Sequence, residues 1–385
     1  MKRIYSIDFM RGFVMIIMAI DHVRDMMHVH SITQSPTNLE TTTPALFFTR
    51  WITYLCAPVF VFLAGTSAYL SFKKNNDLSK TRKYLLTRGI YLVLLEFTIV
   101  NFGLFFDLNF HNFIFEVIAA IGFGFIILSF ILKASLKTIA IFGLAIIFCH
   151  DLFSFIPPGT GILYKCIAPL FNLTVYPLSR LVIIIAYPPI PWVGIMLAGF
   201  ASGKFFELPV AERKRLFLRI SGIALAFFLI VRFINIYGDP VVWSSQKNAI
   251  YSFLSFMNIT KYPPSLLFTL VTLGIMFFIL SFAEGIKGRV VNVVSVYGKV
   301  PLFYFVLHFY IIHLLLIVLM YVQGFHWSQM DFASGSFGRP KGMQSGLPLW
   351  MIYVVWISVV SILYKPCVWF AHYKATHRQW WLKYV

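Results

Sequence analysis

The first apolar segment of the chain, residues 7–27, and the residues just after it hold three carboxylates, two arginines and three histidines. An ionisable side chain at the centre of a membrane helix costs about 2.5 to 3.5 kcal/mol on insertion scales, so each needs a partner or a function. Histidine beside carboxylates is typical of proton transfer, because imidazole titrates near neutral pH. The segment is therefore a candidate proton-transfer site, with ionisable residues Asp8, Arg11, Asp21, His22, Arg24, Asp25, His28 and His30.

Helical spacing brings some of these residues onto one face. A helix turns about 100° and rises about 1.5 Å per residue, so Arg11 and His22 share a face about 16 Å apart along the axis. Asp8 with Arg11, and His22 with Asp25, are i,i+3 neighbours. A carboxylate beside His22 could fix its tautomer and raise its basicity, as a general base for a hydroxyl or amine nucleophile requires. The same charges could equally form a buried network that holds this helix in a bundle.

Other apolar segments carry isolated ionisable residues. Arg50 and Glu96 could pair with Asp21, with Asp25 or with each other. His308 and His313 lie five residues apart, about 140° beyond a full helical turn, so at most one of them can face a shared site. We take His308 as the candidate.

The elements that must position these residues are transmembrane helices. The chain has 385 residues, of which 59% are hydrophobic and 12% charged, whereas soluble domains have about 45–50% apolar and about 25% charged residues. Apolar blocks of about 20 residues match the length that a helix needs to cross a bilayer. We therefore predict an all-α polytopic bundle, a single domain over 1–385, with about ten transmembrane helices at 7–27, 45–72, 84–106, 112–132, 138–155, 181–203, 216–236, 262–282, 300–322 and 347–370.

The basic residues are distributed as membrane topology requires. The chain has 32 Lys and Arg against 14 Asp and Glu, and the basic residues lie mainly between apolar blocks instead of in one aromatic-interleaved patch, which argues against nucleic-acid binding. Counted over alternate loops, about 20 lie on one side and about 6 on the other, which predicts that both termini are cytoplasmic. The four cysteines have no paired spacing, so no metal site is expected.

Six stretches form an ordered set of motifs: RIYSIDFMRG (3–12), APVFVFLAGTS (57–67), YPPIPWVG (187–194), KYPPSLLF (261–268), GKVPLFY (298–304) and WWL (380–382). Together they resemble the catalytic-domain family of heparan-alpha-glucosaminide N-acetyltransferase, in its bacterial branch. The prolines at 188, 189 and 191 interrupt an apolar segment, and such breaks are tolerated at membrane depth only where they are buried or line a cavity.

The resemblance implies an integral enzyme of the bacterial cytoplasmic membrane that moves an acyl group, acetyl above all, from cytoplasmic acetyl-CoA or another acyl-CoA to a glycan or amino-sugar acceptor on the outer side. Arg11 and Arg88 would then bind the CoA phosphates. The spacing of Arg11 and His22 also resembles acyltransferase family three, whose corresponding histidine is the proposed catalytic residue.

Two alternatives stay open at this stage. The lysosomal member of the first family has Asn where His22 stands and its histidine nearer His28 or His30, so the base is His22, assisted by Asp25, or else His30. A secondary transporter or flippase for a glycan or lipid-linked substrate would also use buried Asp and Arg residues, but it would be expected to show two matching halves with interrupted helices.

Overall fold

The computed structural model describes residues 4–157, 159 and 161–385. The basic residues Lys2 and Arg3, which the sequence analysis counts among the cytoplasmic charges, lie outside this range, as does the first residue of the motif at 3–12.

Each of the ten predicted spans contains a helix, and shorter helices lie between them. The α-helices are α1 (Tyr5–Met27), α2 (Pro44–Ile52), α3 (Cys56–Asn75), α4 (Leu78–Leu95), α5 (Asn101–Phe105), α6 (Val117–Ile131), α7 (Leu136–Cys149), α8 (Ile162–Phe171), α9 (Pro189–Ser202), α10 (Val210–Ile234), α11 (Ala249–Met257), α12 (Leu266–Ala283), α13 (Arg289–Lys299), α14 (Pro301–Val322) and α15 (Leu349–Thr376).

Seven helical segments of the described chain are long and apolar enough to cross a membrane: Pro44–Asn75, Leu78–Phe105, Leu136–Phe155, Val210–Ile234, Leu266–Ala283, Pro301–Val322 and Leu349–Thr376. The other three predicted spans differ for separate reasons. Helix α1 is long but carries five charged residues, whereas α6 and α9 have only 15 and 14 residues. The membrane-helix architecture is thus confirmed for the long apolar segments, and the orientation of the termini stays a prediction.

A small sheet replaces helix at two of the predicted spans. Strands β1 (Asn112–Phe115), β2 (Thr174–Leu178) and β3 (Leu181–Ile185) form a sheet of order β1-β3-β2, in which β3 pairs parallel with β1 and antiparallel with β2. The prediction of helix was therefore wrong for the first residues of 112–132 and 181–203. Strand β3 is rich in β-branched residues, which favour strands, and Pro189 begins α9 at a position where proline is tolerated.

Helix α1 lies at the centre of the bundle, against α3, α13, α14 and α15. Its approach to α13 is a backbone contact, since a Cβ atom on Gly12 would lie 1.9 Å from the Val294 carbonyl oxygen and one on Gly298 would lie 1.8 Å from the Asp8 carbonyl oxygen. Glycine at both positions thus allows the two helices to touch. This contact, with burial of most of α1, fixes the face that bears Arg11 and His22.

Candidate active site

A cavity of about 760 Å³ opens beside the second half of α1, and we call it the histidine cavity. Helix α1 contributes three ionisable residues to its wall, and distant segments contribute a carboxylate, a lysine and two tyrosines. Its polar lining residues are Asp21, His22, Asp25, Thr53, Cys56, Glu116, Tyr187, Lys261 and Tyr262.

Three connecting segments bring the distant residues to this cavity. Glu116 lies between β1 and α6, and Tyr187 lies between β3 and α9. Lys261 belongs to the loop before α12, and neighbouring hydrogen bonds hold that loop. Asp239 accepts the Thr260 amide at 2.8 Å and the Ser265 hydroxyl at 2.6 Å. The short sheet and this anchored loop therefore position the part of the cavity that faces α1.

Asp21 is the centre of a buried charge network. Its carboxylate pairs with Arg24 at 2.6 Å and with Arg50 at 2.5 Å, and Lys261 Nζ lies 3.9 Å away. Arg24 also binds Asp25 at 2.6 Å. The pairing of Arg50 with Asp21 is one of those that the sequence allowed. Asp25, which was expected to orient His22, lines the histidine cavity together with His22, but its carboxylate binds Arg24.

His22 packs against two aromatic rings of α14. Its ring centroid is 5.0 Å from that of His308 and 4.5 Å from that of Phe309. His308 is fully buried, and its Nε2 has no hydrogen-bond partner among the described residues. His313 instead stacks on Phe106 with centroids 4.0 Å apart and does not line the cavity. As their spacing predicted, His308 and His313 do not share a site, and His308 is the one that lies beside His22.

A second cavity, of about 1090 Å³, lies beside the first half of α1, and we call it the basic cavity. Arg11 donates to the Leu63 carbonyl at 2.9 Å and to the Ser67 hydroxyl at 2.5 Å. Arg88 donates to the Tyr84 hydroxyl at 2.5 Å. Both arginines expected to bind a nucleotide-bearing donor thus line one cavity, and its four basic residues are Arg11, Arg88, Lys299 and Lys374.

Three apolar side chains line both cavities, and we call them the constriction residues. They are Phe60 of α3, Val117 of α6 and Phe305 of α14. Because they share these three side chains, the two cavities adjoin along α1. Arg11 on the basic cavity and His22 on the histidine cavity lie about 16 Å apart along α1, for eleven residues of helix.

Several predicted site residues lie elsewhere. His30 is exposed beyond the end of α1 and lines neither cavity. Burial lowers the pKa of the adjacent His28 to about 4, with further lowering by His30, Arg24 and Arg339, so the His28 ring is neutral at physiological pH. Asp8 is buried near the contact with α13.

Glu96 is buried outside the cavity as well, in a π-helical turn (Glu96–Val100) that follows α4. One of its carboxylate oxygens accepts the Ala119 amide at 2.8 Å, and the other has no hydrogen-bond partner among the described residues. The expected pairing of Glu96 with Arg50 or with the α1 carboxylates is therefore not found among the described residues, and Arg50 is directed to Asp21.

Sequence reasoning missed four residues that line the histidine cavity. Glu116 and Lys261 were not among the candidate residues. Tyr187 and Tyr262 stood inside the two Tyr-Pro-Pro motifs but were given no role. Those motifs were the available signal, since each places a tyrosine directly before two prolines, and the second proline of the first motif begins α9.

The sequence matches the model of a known protein family. The sequence model of the family described as "Heparan-alpha-glucosaminide N-acetyltransferase, catalytic" matches residues 3–237, which is more than half of the chain and includes α1, the constriction residues Phe60 and Val117, Glu116 and Tyr187. No curated protein shows significant similarity to the sequence. Among the described residues, no group of three or more His, Cys, Asp or Glu side chains has the arrangement of a metal site.

Proposed function

This chain belongs to the heparan-alpha-glucosaminide N-acetyltransferase catalytic family, and we propose that it moves an acetyl group from acetyl-CoA in the basic cavity to an amino-sugar or related glycan acceptor in the histidine cavity. Members of the family are acetyl-CoA-dependent membrane N-acetyltransferases, so the chain is a membrane enzyme of this class. The observation that supports this proposal is the pair of cavities, one basic and one with a histidine, which share three apolar lining residues.

The basic cavity suits the donor. A CoA moiety carries several phosphate charges, and guanidinium groups bind phosphate with directed, charge-assisted hydrogen bonds. Arg11 and Arg88 supply such groups, and Lys299 and Lys374 add positive charge. With the nucleotide end held here, the thioester end of the donor would extend between Phe60 and Phe305 toward His22.

The histidine cavity suits the acceptor and the proton transfer. In the proposed reaction, the acceptor nitrogen attacks the thioester carbonyl carbon, a C–N bond forms, and the C–S bond breaks. His22 takes the proton that the nitrogen loses, and the sulfur leaves as the thiolate of CoA. Lys261 is the cation of the cavity wall that could stabilise the negative charge developing on the carbonyl oxygen.

The charge network gives α1 a fixed position during this reaction. Asp21 is held by Arg24 and Arg50, so the backbone that carries His22 is tied to α2. His308 and Phe309 limit the orientations of the His22 ring. Such pre-organisation lowers the cost of aligning the base with its substrate. In this assignment Asp25 belongs to the network that supports the base, and His30 lies beyond the end of α1 and lines neither cavity.

We further propose the placement of the enzyme in its membrane. The excess of basic residues on one side favours cytoplasmic termini, and the basic cavity contains Lys374, near the C-terminal end of α15, beside Arg11 near the start of α1. Acetyl-CoA would then enter from the cytoplasm, and the acceptor would reach His22 from the opposite side. The chain would act as one domain in a bacterial cytoplasmic membrane.

The decisive experiment compares His22→Ala with His30→Ala in the purified enzyme. We expect His22→Ala to lower acetyl transfer about 10²- to 10⁴-fold, the usual contribution of a general base, while binding of acetyl-CoA is retained. His30→Ala, the matched control on the same segment, should keep most of the activity. Release of free CoA and the mass gain of an amino-sugar acceptor are measured together, and thermal melting checks the fold.

Two results would contradict the assignment. Activity that survives in His22→Ala but is lost in His30→Ala would move the base to the end of α1. If folded protein released no CoA with any amino-sugar or glycan acceptor, yet moved a labelled glycan across proteoliposomes, the transporter or flippase alternative would be supported instead.

A further inference from the structure

A third cavity lies at the end of the bundle where α1 begins, and it shares no lining residue with the basic or the histidine cavity. Its volume is about 1490 Å³, and it lies among the first residues of α1 and α10, the end of α12 and the start of α13. We call it the Arg213 pocket. Its polar lining residues are Tyr5, Ser6, Arg213, Glu284, Lys287 and Asn292.

The buried wall of this pocket leaves one hydrogen-bond donor unused. Ser6 donates to one carboxylate oxygen of Glu284 at 2.5 Å, and Arg213 pairs with the other. Arg213 also donates to the carbonyls of Phe206 and Leu208, each at 3.1 Å. The Arg213 Nε–H is buried and has no partner among the described residues. Both oxygens of the carboxylate are thus engaged, while one N–H of the guanidinium has no partner among the described residues.

The charge of the pocket favours an anion. Glu284 is the one carboxylate among its described lining residues, and Arg213 neutralises it. Lys287 is exposed at the rim and adds a positive charge, and Asn292 adds an exposed amide. A cationic headgroup would find no free carboxylate here, whereas a phosphate would find an arginine N–H and a lysine.

An apolar groove of about 560 Å³ continues from the pocket along the outer surface of the bundle. Ile286 and Val291 line both. The rest of the groove is formed by apolar side chains alone, among them Phe278 and Phe282, which are 46% and 56% exposed. We call it the Phe282 groove. A polar, basic pocket is thus continuous with an apolar groove. This combination suits an amphipathic ligand that has an anionic end.

We propose that the Arg213 pocket and the Phe282 groove together bind one anionic glycerophospholipid. The phosphodiester lies against Arg213 Nε and Lys287, and an acyl chain lies along Phe278 and Phe282. Basic pockets between membrane helices on the cytoplasmic side are a known setting for anionic headgroups. The site is independent of acetyl transfer, because neither of the cavities used for that reaction contributes a residue to it.

Native mass spectrometry of the purified protein tests this site, with phosphatidylglycerol and phosphatidylcholine of identical acyl chains as probes. We expect one saturable phosphatidylglycerol, retained in preference to phosphatidylcholine. Lys287→Ala should lower the retained fraction about fivefold, the weight of one lysine facing an anionic lipid, and Phe282→Ala should lower it as well. Both side chains are exposed, so neither change removes a core contact.

Matched controls separate a specific site from general lipid contact. Lys137→Ala and Phe142→Ala change an exposed lysine and an exposed phenylalanine of α7, and they should leave retention unchanged. Millimolar inorganic phosphate should not displace the lipid, because it cannot occupy the groove. Equal retention of both lipids, non-saturable binding, equal losses in the controls, or displacement by phosphate alone would overturn the proposal.

Discussion

Asp21 and Asp25 offer a direct test of the charge network, because the same arginine binds both. Arg24 lies 2.6 Å from each carboxylate, but the Asp21 side chain is 8% exposed and the Asp25 side chain 42% exposed. Breaking a buried ion pair by removing one partner costs about 3–5 kcal/mol, whereas an exposed pair contributes about 0.2–1 kcal/mol. Asp21→Asn should therefore destabilise the protein several-fold more than Asp25→Asn does.

The structure explains why the cost at Asp21 belongs at the upper end of that range. The network holds three cations, Arg24, Arg50 and Lys261, against the two carboxylates. Without the Asp21 charge, Asp25 alone would oppose all three, and Arg50 would lose its carboxylate partner inside the bundle.

Unfolding of the purified protein in detergent, followed by circular dichroism, measures both variants under the same conditions. A double variant with Arg50→Gln completes the cycle, and we expect it to lose less stability than the sum of the single changes, by about 0.5–3 kcal/mol. Equal melting temperatures for Asp21→Asn and Asp25→Asn would contradict this prediction. Additive losses of stability in the Arg50 cycle would contradict it as well, because burial would then not set the strength of this network.

Three further predictions concern packing, the constriction and the donor site. Gly298→Ala should lower the amount of folded protein, because the new Cβ would lie 1.8 Å from a carbonyl oxygen of α1. Gly222→Ala on α10, which has open space around it, should instead raise the free energy of unfolding by about 0.5–1 kcal/mol. Thermal melting measures both variants. Phe60→Trp should narrow the passage and slow acetyl transfer while equilibrium binding of CoA is kept, and weaker CoA binding would argue against the constriction. Arg88→Ala should raise the KM for acetyl-CoA about tenfold, the value of one charge-assisted hydrogen bond of about 1.5 kcal/mol, whereas Arg82→Ala, which changes an exposed arginine of the same helix, should not.

The amino-acid sequence determined that this is a membrane protein and where its long apolar helices lie. Long apolar runs must form helices in a bilayer, because no water is present there to hydrogen-bond the backbone, and each predicted span does contain a helix. The sequence also determined the shared face of Arg11 and His22, which depends only on helical periodicity. The sequence could not reveal the strands at 112–115 and 181–185, because the pattern of a short apolar run does not distinguish a helix from a strand.

Only the tertiary structure decided which charges surround His22. Asp25 is a neighbour of His22 along the helix, but a long arginine side chain reaches the same carboxylate and binds it. Spacing could not show which of Glu96 and Glu116 faces the histidine cavity, because the rotation of a helix about its axis is set by packing against its neighbours. Glu116 and Lys261 reach the cavity from segments far from α1 in the chain, and such contacts exist only once the helices have packed around α1.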